Sequence, residues 1–210
     1  MASNRSKVVH VCTECGTAHP KWAGRCSGCG DWNTLVEDVE VETDAPVGAS
    51  SRPGPAPIGE VRAEHGDPVP TSIPELDRVL GGGLVAGSVT LLGGEPGIGK
   101  STLLLQLLAA WRGPTLYVTA EESAHQVTRR AQRLGATRDD LWLHAETSLP
   151  HILDAIERVR PDLVVIDSIQ TVADGALGSL PGSVGQVRGC AQRLVEAAKS
   201  SGTSIVLVGH

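Results

Sequence analysis

Ten residues, Gly93-Gly-Glu-Pro-Gly-Ile-Gly-Lys-Ser-Thr102, constrain this chain more than any other stretch of it. Within them Gly94-x-x-x-x-Gly99-Lys100-Ser101 meets every fixed position of a P-loop. Gly94, Gly97 and Gly99 let the backbone bend so that successive N–H groups turn inward around phosphate oxygens. Lys100 is expected to reach the β- and γ-phosphates and the Ser101 hydroxyl to take one site on Mg²⁺. The flanks agree: Ser88-Val-Thr-Leu-Leu92 reads as a buried strand, and Thr102-Leu-Leu-Leu-Gln-Leu-Leu108 as a buried helix whose N-terminus faces the phosphates. The expected nucleotide contacts are Gly94, Glu95, Pro96, Gly97, Ile98, Gly99, Lys100, Ser101 and Thr102, and the expected cofactors are ATP and Mg²⁺.

Around this loop the chain divides into three segments. Residues 1–35 hold four of the five cysteines; residues 36–65 are acidic and then Pro/Gly-rich, the composition of a linker; from residue 66 onward strand and helix signals alternate. Strands are predicted at 88–92, 115–119, 141–144, 163–167 and 204–208, with helices near 100–111, 122–134, 149–159 and 184–200. Ser72-Ile-Pro-Glu75 reads as a capping box opening a short helix that stops at Gly81-Gly-Gly83. The fold class is therefore α/β, a P-loop NTPase with a mainly parallel sheet, preceded by a small four-cysteine module.

Two acids extend the nucleotide site. Leu163-Val-Val-Ile-Asp167 ends in a carboxylate at the carboxyl edge of the sheet, where it can hold Mg²⁺ through water. The strand Leu116-Tyr-Val-Thr119 is followed by Glu121-Glu122, either of which can supply the base for hydrolysis. Glu121 is assigned to catalysis with Lys100 and Asp167 because it lies nearer the strand end, while Glu122 suits a helix start. The Gly/Ser-rich loop from Val172 to Val187 is long for a compact domain and reads as a ligand-contacting segment or a surface excursion.

Cys12-x-x-Cys15 and Cys26-x-x-Cys29 form two knuckle pairs, with Gly16 and Gly30 allowing a tight turn and amides directed at sulfur. Four thiolates suit Zn²⁺ in a closed tetrahedral site, and the same set can hold iron as in rubredoxin. Metal would supply most of the folding energy of so short a segment, ~10 kcal/mol or more. The segment's net charge of +2 is cancelled by the −2 of a zinc tetrathiolate, so charge alone does not make it a nucleic-acid binder. Cys190 falls on the apolar face of its helix and reads as core; His19 reads as a turn residue. No apolar run reaches transmembrane length and the N-terminus lacks a signal-peptide stretch, so no membrane contact and a cytoplasmic location are expected.

A four-cysteine module, a linker, and then PTSIPELDRVLGGGL, GGEPGIGKST, YVTAEES and LVVIDSIQT, in that order, resemble the bacterial RadA (Sms) family of DNA repair proteins over nearly the whole chain. The resemblance implies a RecA-like ATPase core that assembles as a homo-hexamer and acts on single-stranded and branched DNA in recombination. It further implies recombinase and replicative helicase-type partners. It makes Lys100 and Ser101 Walker A residues, Asp167 the Walker B acid, Glu121 the catalytic glutamate and Cys12, Cys15, Cys26 and Cys29 zinc ligands. It places Arg130 against the adenine and the 172–187 loop towards DNA. The family continues beyond Ser204-Ile-Val-Leu-Val-Gly-His210 with a Lys-Asn-Arg-Phe-Gly motif and a Lon-protease-like domain, so the chain reads as a fragment or truncated product. The competing reading is a zinc-tethered, nucleotide-gated interaction module without motor activity.

Overall fold

The computed structural model describes residues 6–41, 57–58, 66–177 and 179–210. The chain forms two compact units, Met1–Glu64 and His65–His210. In the first, β1 (Ser6–Cys12) is the central strand of an antiparallel sheet, flanked by β2 (Ala18–His19) and β3 (Leu35–Val41). The expected linker therefore begins later than residue 36. Leu35–Val41 pairs with β1 along its whole length, from Cys12↔Leu35 to Ser6↔Val41, although only residues 38–41 alternate acidic with apolar positions. Three acids in seven residues, without a sustained period of two, made the strand read as linker. The rest of the expected linker lies largely outside the described residues.

The second unit opens with α1 (Pro74–Leu80). Its expected capping box is absent: Ile73, not Ser72, is the N-cap, and no side chain caps it. Instead the Asp77 carboxylate accepts from both the backbone N–H and the hydroxyl of Thr71, at 2.7 and 2.6 Å, while Glu75 pairs with Arg78. A buried threonine offered a better partner than the helix start. The sheet then follows as β4 (Val89–Gly93), β5 (Thr115–Thr119), β6 (Leu141–Ala145), β7 (Leu163–Asp167) and β8 (Ser204–Gly209). All pairings are parallel, in the order β4-β8-β7-β5-β6. Between the strands run α2 (Lys100–Ala110), α3 (Ala124–Arg133), α4 (Leu149–Val159) and α5 (Val184–Ser201).

Strand alternation sorts the core into two layers. Tyr117, Leu163, Val165, Val206 and Val208 pack with the leucines of α2 and with Val127 and Ala131 of α3. Leu116, Val118, Val164, Ile166, Ile205 and Leu207 pack on the opposite face with α4 and α5, where Cys190, Leu194 and Ala198 are fully buried. Cys190 is core, and burial pushes its thiol up from its ordinary value. The same parity has a consequence for the site. Residues 117, 163, 165 and 167 share one face, so the side chains of Tyr117 and Asp167 point to the P-loop side of the sheet.

Candidate nucleotide site and metal centre

At the carboxyl edge of the sheet, β4 runs into the P-loop and the loop into α2. Gly97 and Gly99 adopt left-handed conformations, φ 83° and 102°, which tip the intervening amides inward. Gly94 serves differently. A Cβ there would lie 2.8 Å from the Ile98 side chain. Lys100 folds across the loop and donates to the carbonyls of Gly94 and Glu95 at 2.6 and 2.9 Å. No acid occupies the first turn of α2, so its helix dipole and free amides are left for an anion.

A cavity of about 330 Å³ brings together Pro96, Gly97, Gly99, Lys100, Ser101 and Thr102 with Glu121, Glu122, Arg130 and Asp167, and Val208 and His210 complete its wall. Three expected contacts do not line it. Gly94 and Glu95 give their carbonyls to Lys100, and Ile98 turns its side chain to solvent. The acids from different strands meet here because β5 and β7 are adjacent and in register, Thr119↔Asp167, so Glu121 follows one strand end while Asp167 ends the other. β8 stands between β7 and the P-loop strand, setting Asp167 across the cavity from Ser101.

Glu121 and Glu122 part company in the structure. Both carboxylate oxygens of Glu122 accept from Arg130 Nη2, at 2.6 and 2.7 Å, and the pair raises the Arg130 pKa. Glu121 instead accepts from the Ser168 hydroxyl, with His210 Nε2 4.0 Å away. The buried Nη1 of Arg130 has no partner among the described residues. A buried donor left over in a cavity with a lysine and a free helix N-terminus fits an anionic ligand such as a nucleotide with Mg²⁺.

Sequence reasoning missed Tyr117. Its hydroxyl donates to Asp167 Oδ2 at 2.7 Å. Burial, then the charge of Asp167, push the phenol well above its ordinary value, so it stays protonated. Strand parity was the available signal, because it puts positions 117 and 167 on one face. It also missed Ser123-x-x-Gln126, a complete capping box at the start of α3, and Gln186. Buried Gln186 donates to the carbonyls of Asp174 and Ser179 at 3.0 and 2.7 Å and accepts from the Asp174 N–H at 3.0 Å. Arg193 pairs with Asp174, and Ala173 bridges to the Thr147–Leu149 backbone. The first part of the 172–187 loop is thus strapped down, while Leu180 is exposed.

In the first unit the sulfurs of Cys12, Cys15, Cys26 and Cys29 all lie within 4.8 Å of one another. A tetrahedral ion with Zn–S of about 2.3 Å needs sulfurs about 3.8 Å apart, within that limit and close to the 3.6 Å of Cys12–Cys29 and the 3.5 Å of Cys15–Cys26, and the all-thiolate donor set fits it. Gly16 and Gly30 have positive φ and donate to the Cys12 and Cys26 carbonyls at 2.9 Å, closing the two knuckles. The amide directed at sulfur belongs instead to Gly28, 3.3 Å from Cys26 Sγ. Thr34 Oγ1 stands 3.2 Å from Cys12 Sγ and draws that thiol down to about 6, the thiolate a metal needs. His19 is on β2, not in a turn, and its Nε2 lies 3.5 Å from Cys26 Sγ.

Comparison with known proteins fits both units. Residues 55–210 match the AAA domain family, and residues 10–37 match a zinc-ribbon family described as the rubredoxin metal binding domain, which with the four-cysteine cluster supports Zn²⁺. The DNA repair protein RadA of Pseudomonas aeruginosa is 51% identical over 98% of this chain and 47% of its own length. That of Bacillus subtilis is 44% identical over 100% of this chain and 47% of its own length. RadA of Mycobacterium tuberculosis is 43% identical over 100% and 45%. The chain spans about half the length of the curated relatives it matches. No helix among the described residues is long and apolar enough to cross a membrane.

Proposed function

The chain belongs to the AAA-domain family as a RadA-type member, and on that premise we propose that it hydrolyses ATP in recombinational DNA repair, acting on single-stranded and branched DNA. The observation that carries this reading is the convergence of Lys100, Ser101, Glu121 and Asp167, from three separate strand ends, on one cavity. ATP with Mg²⁺ supplies the phosphoanhydride whose cleavage releases the energy. Lys100 neutralises phosphate charge, and Ser101 and Asp167 hold the metal, Asp167 being oriented by Tyr117. Glu121 is the base: its carboxylate is held by the Ser168 hydroxyl and can take a proton, whereas Glu122 is fully engaged in fixing Arg130. Arg130, whose Nη1 has no partner among the described residues, contacts the nucleotide. Assembly as a hexamer, a DNA-facing role for the 172–187 loop, and contact with recombinase or replicative helicase-type partners belong to the same reading.

The test is ATP turnover by the purified protein with and without a single-stranded oligonucleotide. DNA should stimulate the rate severalfold, and Lys100→Ala and Glu121→Gln should each abolish it. A rate that ignores DNA and survives both substitutions overturns the proposal.

A further inference from the structure

Two of the four tryptophans lie in the short metal module, and neither contributes to its core. Trp22 is 59% exposed and Trp32 69%. Exposing indoles forfeits burial that a module this small can ill spare, so their position calls for a reason. Both rings converge on Gly24. A Cβ placed there would sit 3.7 Å from Trp32 and 3.9 Å from Trp22, so an edge of each ring comes within van der Waals reach of the same bare backbone.

The arrangement is built rather than loose. Arg25 and Trp32 form an antiparallel bridge, and Asn33 N–H donates to the Gly24 carbonyl at 2.8 Å. Cys26 N–H donates to the Asp31 carbonyl at 2.8 Å, tying the same hairpin to the second cysteine knuckle. The Arg25 guanidinium lies over the Trp32 ring, 5.9 Å from its centroid, and its Nε–H is fixed on the Gly30 carbonyl at 2.7 Å. The surround is polar: Lys21, Arg25, Ser27, Asp31 and Asn33 are all exposed. A docking surface for an apolar protein face would carry aliphatic residues around its aromatics. Here flat rings stand among two cations, one carboxylate and neutral hydrogen-bonding groups, a net positive polar surround of the kind that takes planar bases joined by phosphates.

We propose that Trp22 and Trp32, with Lys21 and Arg25 beside them, form a base-stacking platform for single-stranded DNA on the metal module. The proposal rests on the reading that this protein acts on single-stranded DNA and assigns part of that contact to specific side chains. Stacking is sequence-tolerant and barely electrostatic, so the two kinds of residue separate experimentally. Tryptophans set affinity without salt dependence; Lys21 and Arg25 set the salt dependence.

The test titrates a fluorescein-labelled oligo(dT) against the zinc-loaded protein over a range of salt, with zinc content measured in every variant. Trp22→Leu and Trp32→Leu should each weaken binding about tenfold with an unchanged salt slope. Trp22→Phe and Trp32→Phe should retain most of the affinity, and Lys21→Ala with Arg25→Ala should flatten the slope. Duplex of equal length, whose bases are already stacked, should be bound equally by parent and Leu variants. Because Leu and Phe keep apolar bulk alike, a variant that loses zinc is replaced in the comparison by its Phe partner paired with the other site's Leu. A parent that binds oligo(dT) while the doubly Leu-substituted, zinc-loaded protein binds it as tightly overturns the platform alone. A parent that binds no single strand overturns both the platform and the reading beneath it.

Discussion

Tyr117→Phe removes a single oxygen and should separate metal binding from nucleotide binding. Tyr117 is 2% exposed, so water cannot replace its hydroxyl, and the lost bond of 2.7 Å ends on a carboxylate. A hydrogen bond to a charged group contributes about 1.5–3 kcal/mol. Asp167 is only half-buried and borders the cavity, so solvent restores part of this, which puts the expected cost near the lower bound, ~1.5 kcal/mol. In melting temperature that is about 3–6 °C for a unit of this size. Phenylalanine keeps the ring against Val127 and Ala131, so the P-loop and Lys100 remain in place. What changes is the freedom of the Asp167 carboxylate to rotate, and loss of such an outer partner weakens metal binding about tenfold. The assay is a Mg²⁺ titration of fluorescent ATP-analogue binding beside a thermal melt. The Mg²⁺ midpoint should rise about tenfold while metal-free nucleotide affinity stays within twofold. Since the phenol stays protonated, the difference should persist from pH 6 to pH 9. An unchanged Mg²⁺ midpoint together with an unchanged melt would refute the reasoning.

Three other expectations follow from the geometry. Glu146 accepts from the N–H groups of Ser148 and Thr147 and pairs with His151, which holds its carboxyl down at about 2. A depressed carboxyl stabilises fully above its ordinary value and loses that effect as pH falls towards its folded one. Glu146→Gln should therefore cost ~1–2 kcal/mol at pH 7, and the gap to the parent should narrow as the pH falls below the ordinary carboxyl range and close only below about pH 2 in denaturant titrations. Gln186→Ala strands the buried N–H of Asp174 and the carbonyls of Asp174 and Ser179, so it should cost ~2–3 kcal/mol and make the 172–187 loop the first point of protease attack. Cys26→Ser with Cys29→Ser should remove bound zinc and the folding of the first unit, while ATP-analogue affinity holds within twofold; co-loss of both would count against independent units.

Much of this molecule is legible in one dimension because its chemistry is local. The P-loop is a contiguous run whose glycines, lysine and serine are fixed by spacing, and each Cys-x-x-Cys knuckle is closed by its own turn. Short apolar runs and period-3.6 patterns likewise located the five strands and four long helices of the second unit to within a residue or two. The errors share one cause. Ser72 lost its capping role, and Thr71 found Asp77, because partners compete in space. β3 looked like linker because its partner strand is more than twenty residues upstream.

By itself, then, the sequence determined that a phosphate-binding loop sits between a strand and a helix, that four cysteines form one set, and that acids end the neighbouring strands. The partners of Glu121 and Glu122 required the tertiary structure, where Arg130 from the next helix pairs with Glu122 and Ser168 from another strand end donates to Glu121. The Arg130 donor without a partner among the described residues and the neighbouring indoles of the metal module left no signal along the chain, and Tyr117 left only its strand parity with Asp167. Spacing specifies a motif when its atoms belong to one turn. When the partners come from strands fifty residues apart, only the order and register of the sheet decide which side chains meet.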